Sequence, residues 1–175
     1  VQDRPQHVAV ALDLGAGGGV LTGALAEAGA RVWAVELDSV ALRQLRARFG
    51  VDPRVEVVEA DATVLPLPDE PFAVVANLPF ATGTAILRRL LGDPRVRLTQ
   101  LDAIVEWGLA AKRTAVWPST RTSVYWSAWY ELSLARRVPR ACFAPSPSVD
   151  AAVLRARRRT EPLVPVREAA AYRSF

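Results

Sequence analysis

The sequence predicts an α/β fold, built on a mostly parallel sheet of seven strands with helices on both faces. Apolar runs typical of strands alternate with segments of helical periodicity along most of the chain. Such alternation favours parallel strands joined by crossover helices. The last two strand-like segments follow one another without an intervening helix, which predicts an antiparallel addition at one edge of the sheet.

Each element follows from its own pattern of apolar residues and boundary signals. Ser39 is the expected N-cap of the second helix, and His7 precedes the first strand as an expected surface residue. The predicted strands are 8–14, 31–36, 54–59, 72–77, 101–105, 130–138 and 150–157, and the predicted helices are 21–28, 39–49, 84–91 and a short one through Lys112.

Composition narrows the class of protein. The 175 residues suit one domain, and a hydrophobic content of 51% permits a sizeable core. No apolar run approaches the roughly 18 residues of a membrane span, and no signal-peptide pattern opens the chain, so we expect a soluble cytoplasmic protein without membrane association. With one cysteine and one histidine, the sequence favours neither a disulfide framework nor a metal site.

Positive charge is carried almost entirely by arginine. The formal net charge is +4, and Lys112 is the single lysine. Arginine forks bind phosphate and stack on bases, so the balance permits an RNA partner without requiring one. The arginines near the last strand pair are candidates for phosphate contacts or for a solvated face; they are Arg136, Arg137, Arg140, Arg155, Arg157, Arg158 and Arg159.

A glycine-rich loop follows the first predicted strand. Gly15, Gly17 and Gly19 form G-x-G-x-G, whereas the dinucleotide fingerprint needs a glycine where Val20 stands. This departure disfavours a pyrophosphate loop and favours close approach of a small zwitterion. A tight turn that binds no ligand is the alternative.

Two acidic residues follow the next strands. Glu36 ends the second strand and can accept both hydroxyls of a ribose. Asp61 follows the third strand and can read an adenine amino group at the rim of the same pocket. A solvated strand-end acid and an acidic turn are the respective alternatives.

Asn77-Leu78-Pro79-Phe80 ends the fourth strand and carries the sharpest chemical signal. The Asn77 side-chain carbonyl can accept a hydrogen bond from an amino group, and Pro79 can leave the preceding carbonyl free as a second acceptor. The Phe80 ring offers a face for base stacking. The alternative is an ordinary Asn-x-Pro turn.

These features fall at the ends of successive strands, which meet at one edge of a parallel sheet. The row suits S-adenosylmethionine, with its methionine part over the glycines, its ribose at Glu36, its adenine at Asp61 and its methyl group facing Asn77. Phe143, in a stiff proline-rich loop, is the candidate partner of Phe80 in clamping a base, or else a plug of the core. The aromatic residues expected to serve packing are Trp107, Trp117, Trp126, Trp129, Tyr125 and Tyr130.

The chain resembles the rRNA adenine N6-methyltransferases, a family that includes the Erm resistance enzymes and the small-subunit rRNA dimethyladenosine transferases. The segments that carry this resemblance are Leu12-Asp13-Leu14-Gly15-Ala16-Gly17, Glu36, Asp61-Ala62 and Asn77-Leu78-Pro79-Phe80. Those that look like actinobacterial Erm enzymes are Glu106-Trp107, 110–113, Trp129-Tyr130-Glu131, 143–149, and Arg157-Arg158-Arg159 with Pro162-Leu163.

The resemblance implies a Rossmann-like class I methyltransferase fold that transfers methyl groups to N6 of an adenine in the peptidyl-transferase region of 23S rRNA, giving resistance to macrolide-type antibiotics. It implies a catalytic domain over 1–160 and a linker over 161–175 towards a helical RNA-binding domain, in a monomeric protein. The implied catalytic residues are Asn77, Leu78, Pro79, Phe80 and Phe143; the implied S-adenosylmethionine contacts are Asp13, Gly15, Gly17, Gly19, Glu36, Leu37, Asp61, Ala62 and Asn77; the RNA contacts are Arg136, Arg137 and Arg140.

Four other functions stay open at this point. They are a small-subunit rRNA dimethyladenosine transferase, a DNA adenine methyltransferase, a protein glutamine methyltransferase and a non-catalytic rRNA-binding fragment. DNA and protein amino-group methyltransferases usually carry Asn/Asp-Pro-Pro-Tyr/Phe, so Leu78 favours the rRNA group.

Overall fold

The computed structural model describes residues 10–117 and 119–174. His7 and the first two residues of the predicted strand 8–14 lie outside the described residues. The strands are β1 (Val10–Leu14), β2 (Val32–Glu36), β3 (Val55–Glu59), β4 (Phe72–Asn77), β5 (Leu98–Glu106), β6 (Tyr130–Val138) and β7 (Ala151–Arg158), and the helices are α1 (Val20–Glu27), α2 (Ser39–Phe49), α3 (Gly83–Leu91), α4 (Trp107–Thr114), α5 (Arg121–Ser127) and α6 (Ala169–Ser174).

All seven strands form one sheet, in the order β3-β2-β1-β4-β5-β7-β6. The first five strands pair in parallel, and β7 lies antiparallel between β5 and β6. The predicted fold class is therefore confirmed, including the antiparallel pair at the edge.

Helices cover both faces of the sheet because neighbouring strand residues point to opposite sides. In β2, Val35 belongs to the larger buried cluster, which also includes Leu87 of α3 and Trp126 of α5. Its neighbour Ala34 packs on the other face with Phe49 of α2. The near-continuous apolar composition of the central strands follows from this burial on two sides.

Helices α2 and α5 differ from the sequence prediction. Asp38, rather than Ser39, caps α2, because its carboxylate accepts the N–H groups of Val40 (2.9 Å) and Ala41 (2.8 Å). Helix α5 was not predicted. It begins after Thr120, whose hydroxyl accepts the Ser123 N–H at 3.1 Å.

The segment after β7 packs against the sheet domain. The Leu163 N–H donates to the Ala128 carbonyl at 2.8 Å, and Tyr172 lies against the core cluster together with Val164 and Ala169. The division at residue 160, with a linker role for 161–175, stays a prediction.

The tryptophans that were predicted to serve packing differ in how far they are buried. Trp126 and Trp129 are fully buried, as predicted, whereas the prediction that Trp117 serves packing was wrong, since its side chain is 89% exposed. Trp117 lies in the loop between α4 and α5, where no strand or helix covers it. In the described part of the chain, each helix is too short or too polar to cross a membrane.

Candidate active site

The site lies where the connections from β1 and β4 leave the sheet in opposite directions. These two strands are neighbours, yet β1 leads towards β2 on one side and β4 leads towards β5 on the other. In open α/β sheets, a crevice forms at this switch point outside the carboxyl ends of the strands, and ligands bind there. The glycine loop follows β1, and Asn77 to Phe80 follow β4, so both predicted motifs open into this crevice.

The glycine loop depends on backbone conformations that other residues adopt only with strain. Gly15, Gly17 and Gly19 have φ values of 74°, 54° and 77°. A Cβ on Gly19 would lie 2.5 Å from the Phe49 ring, whereas a Cβ on Gly17 would meet no atom within 4 Å. The loop is thus packed tightly at its end and open at its middle, where a ligand can approach the backbone.

Glu36 organises the loop as well as lying beside it. One carboxylate oxygen accepts the Gly17 N–H at 2.8 Å, and the other accepts the N–H groups of Leu37 (2.7 Å) and Asp38 (2.9 Å). A carboxylate offers about four lone-pair directions, so roughly one acceptor position is left for a ligand. That Glu36 accepts both hydroxyls of a ribose stays a prediction. Since three backbone N–H groups already donate to this carboxylate, one of them would have to share its acceptor position with a hydroxyl.

Asp13 is a buried carboxyl at the base of the crevice. It is 1% exposed; one of its oxygens accepts the Thr22 hydroxyl at 2.7 Å, and among the described residues no donor reaches the other. Burial raises the pKa of Asp13 to about 6, and the Thr22 hydrogen bond opposes part of that rise. The unpartnered oxygen is itself buried, which is consistent with a carboxyl that is protonated more readily than an exposed one.

Asp61 and Ala62 form a turn after β3. The Asp61 carboxylate accepts the backbone N–H and the hydroxyl of Thr63, both at 2.7 Å. These bonds hold the pKa of this exposed carboxyl below its ordinary value. The Ala60 N–H donates to the Glu36 carbonyl at 3.0 Å, which places this turn beside the end of β2.

Asn77 and Leu78 present two acceptors at the end of β4. Leu78 is buried, and its N–H donates to the Ile104 carbonyl at 3.1 Å. Asn77 is exposed, and within the described part of the chain no donor is directed at its side chain or at the Leu78 carbonyl. The turn is closed behind them by the Pro79 carbonyl, which accepts the Gly83 N–H at 2.8 Å.

The glycine loop and the Asn-Leu-Pro-Phe turn are in contact. A Cβ on Gly15 would lie 3.4 Å from the Pro79 ring and 3.8 Å from the Asn77 carbonyl oxygen. The two sequence motifs therefore form adjoining walls of one crevice.

The loop that carries Phe143 reaches the same edge of the sheet. Val138 at the end of β6 pairs with Ala151 at the start of β7, and Ala151 pairs with Glu106 at the carboxyl end of β5. The intervening residues 139–150 therefore lie beyond the carboxyl ends of β4 and β5. Phe80 and Phe143 are both half-buried, and their role as a base clamp stays a prediction.

Asp150 is a residue that the sequence analysis missed. Its carboxylate accepts the Arg137 guanidinium at 2.6 Å and the Arg140 backbone N–H at 2.9 Å, which fixes the loop at its base. The Arg137 guanidinium also lies 5.1 Å from the Trp107 ring centre. Arg136 is exposed on the same strand, and RNA contact by these three arginines stays a prediction.

Three other candidate arginines have structural partners. Arg155 pairs with Asp102 at 2.6 Å. Arg158 donates to main-chain carbonyls just before and at the start of β5 and to the Tyr130 hydroxyl, and Arg159 donates to the Ser127 carbonyl. These guanidinium groups tie the edge strands to their connections, a role that neither of the two sequence-based alternatives, phosphate contact and a solvated face, included.

The site residues fit S-adenosylmethionine. The open backbone at Gly17 leaves room for a ligand, Glu36 keeps about one acceptor position, and Leu37 continues the wall beyond Glu36. Thr22, also missed from the sequence, orients Asp13, and the only signal for it was a polar residue on the buried side of α1.

Comparison with known proteins agrees with this geometry. The model of the ribosomal RNA adenine dimethylase family matches residues 4–175. The chain belongs to this family. Its resemblance to the rRNA adenine N6-methyltransferases is thereby confirmed.

Curated family members include both resistance and ribosomal enzymes. An rRNA adenine N-6-methyltransferase of Corynebacterium diphtheriae is 35% identical over 94% of this chain and 64% of its own length. The mycinamicin-resistance protein MyrB of Micromonospora griseorubida is 40% identical over 87% of this chain and 48% of its own length. The ribosomal RNA small subunit methyltransferase A of Opitutus terrae is 39% identical over 87% of this chain and 58% of its own length. The chain thus spans about half to two thirds of the length of these relatives.

The fold of this chain is closely similar to that of a solved structure. The 23S rRNA methyltransferase ErmE superposes with a TM-score of 0.85 at 32% identity, covering 95% of this chain and 68% of the ErmE chain. A dimethyladenosine transferase from Plasmodium falciparum superposes with a TM-score of 0.76 at 20% identity, covering 86% and 56%, and this second likeness concerns the fold alone.

Proposed function

We propose that this domain transfers a methyl group from S-adenosylmethionine to N6 of an adenine in 23S rRNA, within the peptidyl-transferase region, and so gives resistance to macrolide-type antibiotics. The observation that carries the proposal is the contact between the glycine loop and the Asn77–Phe80 turn at the switch point of the sheet. Similarity to MyrB and ErmE favours the 23S target.

In this proposal, Asn77 and Leu78 hold the target amino group. Their two carbonyl oxygens each accept one N–H, which turns the nitrogen lone pair towards the methyl donor. Phe80 and Phe143 stack on the two faces of the base, which has left its own stack in the RNA. Pro79 sets the turn that aims both acceptors, so positioning supplies most of the rate.

The cofactor side would use the groups beside the glycine loop. S-adenosylmethionine, when bound, supplies an electrophilic methyl group on a sulfonium that is already a good leaving group. Glu36 would accept from the ribose, Asp61 and Ala62 would border the adenine, and Asp13 would lie under the backbone of Gly15 and Gly17. No strong general base is required of the protein.

The partner and setting follow from the same proposal. We place 23S rRNA against the exposed arginines beside the Phe143 loop, namely Arg136 and Arg140, with Arg137 held between Asp150 and the RNA. A monomer acting in the cytoplasm is the simplest form of such an enzyme.

The first test is calorimetric titration of the chain with S-adenosylmethionine and with its demethylated product. We expect saturable one-site binding that is lost in Glu36→Ala. Glu59→Ala is the matched control, because Glu59 ends the neighbouring strand and binds Arg46 rather than the loop. Equal binding by wild type and Glu36→Ala, with both folded, would remove Glu36 from the cofactor site.

The second test is methyl transfer to isolated RNAs. We expect incorporation into 23S rRNA and much less into small-subunit rRNA or DNA. A small-subunit rRNA dimethyladenosine transferase is the second candidate, which the 39% identity to the Opitutus terrae enzyme favours. Methyl incorporation into small-subunit rRNA alone would favour the dimethyladenosine transferase. RNA binding that does not depend on S-adenosylmethionine, without methyl transfer, would identify a non-catalytic fragment.

A further inference from the structure

Arg89 on helix α3 reaches the turn that follows β3. One terminal nitrogen of its guanidinium donates to the Ala62 carbonyl at 3.3 Å, and the other donates to the Leu65 carbonyl. The side chain is half-buried, and in the described part of the chain it forms no ion pair with a carboxylate. Its rigid, planar fork therefore binds two main-chain carbonyls at once and fixes the backbone that carries them.

The turn needs a donor from elsewhere because its own sequence cannot supply one. The Asp61 carbonyl accepts the N–H groups three and four residues along, at 3.0 and 2.8 Å, so a single helical turn forms here. In a longer helix the Ala62 carbonyl would accept the N–H of the fourth residue along, but that residue is Pro66, which has no N–H. Arg89 supplies the hydrogen bond that the proline removes.

Asp61 in this turn keeps one oxygen for a ligand. The backbone N–H and the hydroxyl of Thr63 both donate to Oδ1, and among the described residues no donor reaches Oδ2. The Thr63 hydrogen bonds are the main cause of the lowered pKa of Asp61, and the nearby positive charge of Arg89 lowers it further. Oδ2 is therefore an ionised acceptor at neutral pH, in a turn whose backbone Arg89 holds in place.

Helix α3 gives Arg89 a fixed base. Leu87 and Leu90, on either side of Arg89 along the helix, are fully buried in the core. At its start the helix is bound to the Asn-Leu-Pro-Phe turn, because the Gly83 N–H donates to the Pro79 carbonyl at 2.8 Å. Arg89 thus connects the turn after β3 to the helix that begins at the turn after β4.

We propose that Arg89 is a positioning residue for the base of the cofactor: it holds the turn so that Asp61 Oδ2 accepts the exocyclic amino group of the cofactor's adenine. This inference rests on the proposed function, in which Asp61 and Ala62 border that adenine. It goes further by assigning the preference for an amino-bearing base to a side chain that acts through Asp61.

The main test compares two ligands by calorimetric titration. They are S-adenosylhomocysteine and its analogue in which purine replaces adenine, so that only the amino group is missing. We expect wild type to bind the adenine compound about 20-fold more tightly, as for one hydrogen bond to a charged acceptor. In Arg89→Met, which keeps an apolar stem without donors, this preference should fall to about threefold. The ratio of two affinities cancels a general weakening of the site, which a merely structural role would produce.

Arg88→Met is the matched control. Arg88 precedes Arg89 on the same helix and carries the same charge, but it is exposed and no described residue accepts a hydrogen bond from it. We expect its preference for the adenine compound to equal that of wild type. Loss of the preference in both variants would assign the effect to the charge of α3 and overturn the role of the Arg89 fork.

A double-mutant cycle tests whether Arg89 acts through Asp61. Asp61→Ala should weaken binding of S-adenosylhomocysteine by about 20-fold, and Arg89→Met by about sevenfold. The double variant should lose about 20-fold, because without the carboxylate the position of the turn no longer affects the amino group. A loss equal to the product of the two single effects would show independent action and contradict the inference.

Arg89→Lys tests the fork even if Arg89→Met does not fold. A lysine keeps the charge near Asp61 but lacks the planar fork that binds both carbonyls in one geometry. We expect a preference between those of wild type and Arg89→Met, and the full wild-type preference would overturn the role of the fork.

Failure of this inference differs from failure of the proposed function. Equal preferences in wild type and Arg89→Met, both folded, would overturn the inference while cofactor binding and methyl transfer remained. Equal binding of the two ligands by wild type would overturn it as well, because Asp61 would then not read the amino group. If folded wild type bound neither ligand, the proposed function would fail, and this inference with it.

Discussion

The two walls of the crevice differ in how much of their geometry the protein fixes for itself. On the side of β1 and β2, the Glu36 carboxylate accepts three backbone N–H groups, and Thr22 orients Asp13. On the side of β4, Asn77 is exposed, and no described donor engages its side chain. Most acceptor positions of Glu36 are occupied by the protein's own backbone, whereas the Asn77 side chain offers acceptors that no described donor uses.

This contrast separates the consequences of substitution. Residues on the β1–β2 wall hold the glycine loop in shape, and a ligand would bind against the same loop. Substitutions there should therefore affect both folding and ligand binding. On the β4 wall, the exposed Asn77 side chain has no described partner, so changing it should affect turnover and leave folding largely unchanged. In the proposed function, preorganisation therefore belongs to the wall that would bind the cofactor, and the substrate amino group would complete the other wall.

The largest effect is expected for Asn77→Ala, which removes one of two acceptors for the amino group. We expect kcat to fall by about 1,000-fold or more, because the nitrogen lone pair is no longer aimed. Cofactor affinity and the unfolding midpoint should be unchanged, as measured by calorimetry and urea denaturation. Asn77→Asp, which keeps acceptor oxygens at the same place, should retain more activity, and global unfolding of Asn77→Ala would show that Asn77 is structural.

A matched pair of glycine substitutions tests the β1–β2 wall. Gly19→Ala places a methyl group against Phe49 and Leu45 at positive φ, and we expect a loss of about 3–4 kcal/mol in the free energy of unfolding. Gly17→Ala has similar backbone strain but open space, so about 1–2 kcal/mol is expected. Urea denaturation measures both, and equal losses would contradict the packing at Gly19.

The pH dependence of stability reports on Asp13. Its folded pKa is about 6 against 3.8 for the ordinary group, so between pH 4 and 6 the folded state binds more protons than the unfolded state. Stability is therefore highest when Asp13 is protonated and decreases as pH rises through this window, by about 3 kcal/mol for this group.

Asp13→Asn is the variant that tests this dependence. It cannot titrate, so the decrease between pH 4 and 6 should be absent from its urea unfolding curves. The exposed acids with lowered pKa values, such as Asp61, act below this window and should leave the comparison unaffected. A parallel pH profile for wild type and variant would assign the decrease to another group.

The smallest effects are expected for Phe80→Leu and Phe143→Leu, the two predicted stacking residues. Each should weaken binding of the target base by about 1–3 kcal/mol, seen as a higher KM for RNA with cofactor affinity unchanged. Unchanged kinetics for Phe143→Leu, together with lower stability, would identify that ring as part of the core.

The sequence predicted the sheet and the row of strand-end residues because both follow from local patterns. The apolar run 72–76 lies between Glu70-Pro71 and Asn77, and the predicted strand 72–77 has the same range in the structure. Helix α5 was missed because Val124, Tyr125 and Trp126 favour strands, and the helix depends on its Thr120 cap and on burial of Trp126.

Side-chain partners distant in sequence could not be predicted. The bond between Thr22 and Asp13 exists only once α1 packs on β1, and Asp150 holds the Phe143 loop only once β6 and β7 pair. An arginine in a sequence does not reveal its acceptor: Arg158 binds main-chain carbonyls, whereas Arg88 is left unpaired among the described residues.

The missing side chain of Gly15 has a thermodynamic consequence. Because this residue lies directly against Pro79, a displacement of the loop after β1 is transmitted to the turn after β4 without an intervening solvent layer. Two ligands that touch these two segments are therefore energetically linked. Whatever factor the first ligand applies to the affinity of the second, the second must apply to the affinity of the first.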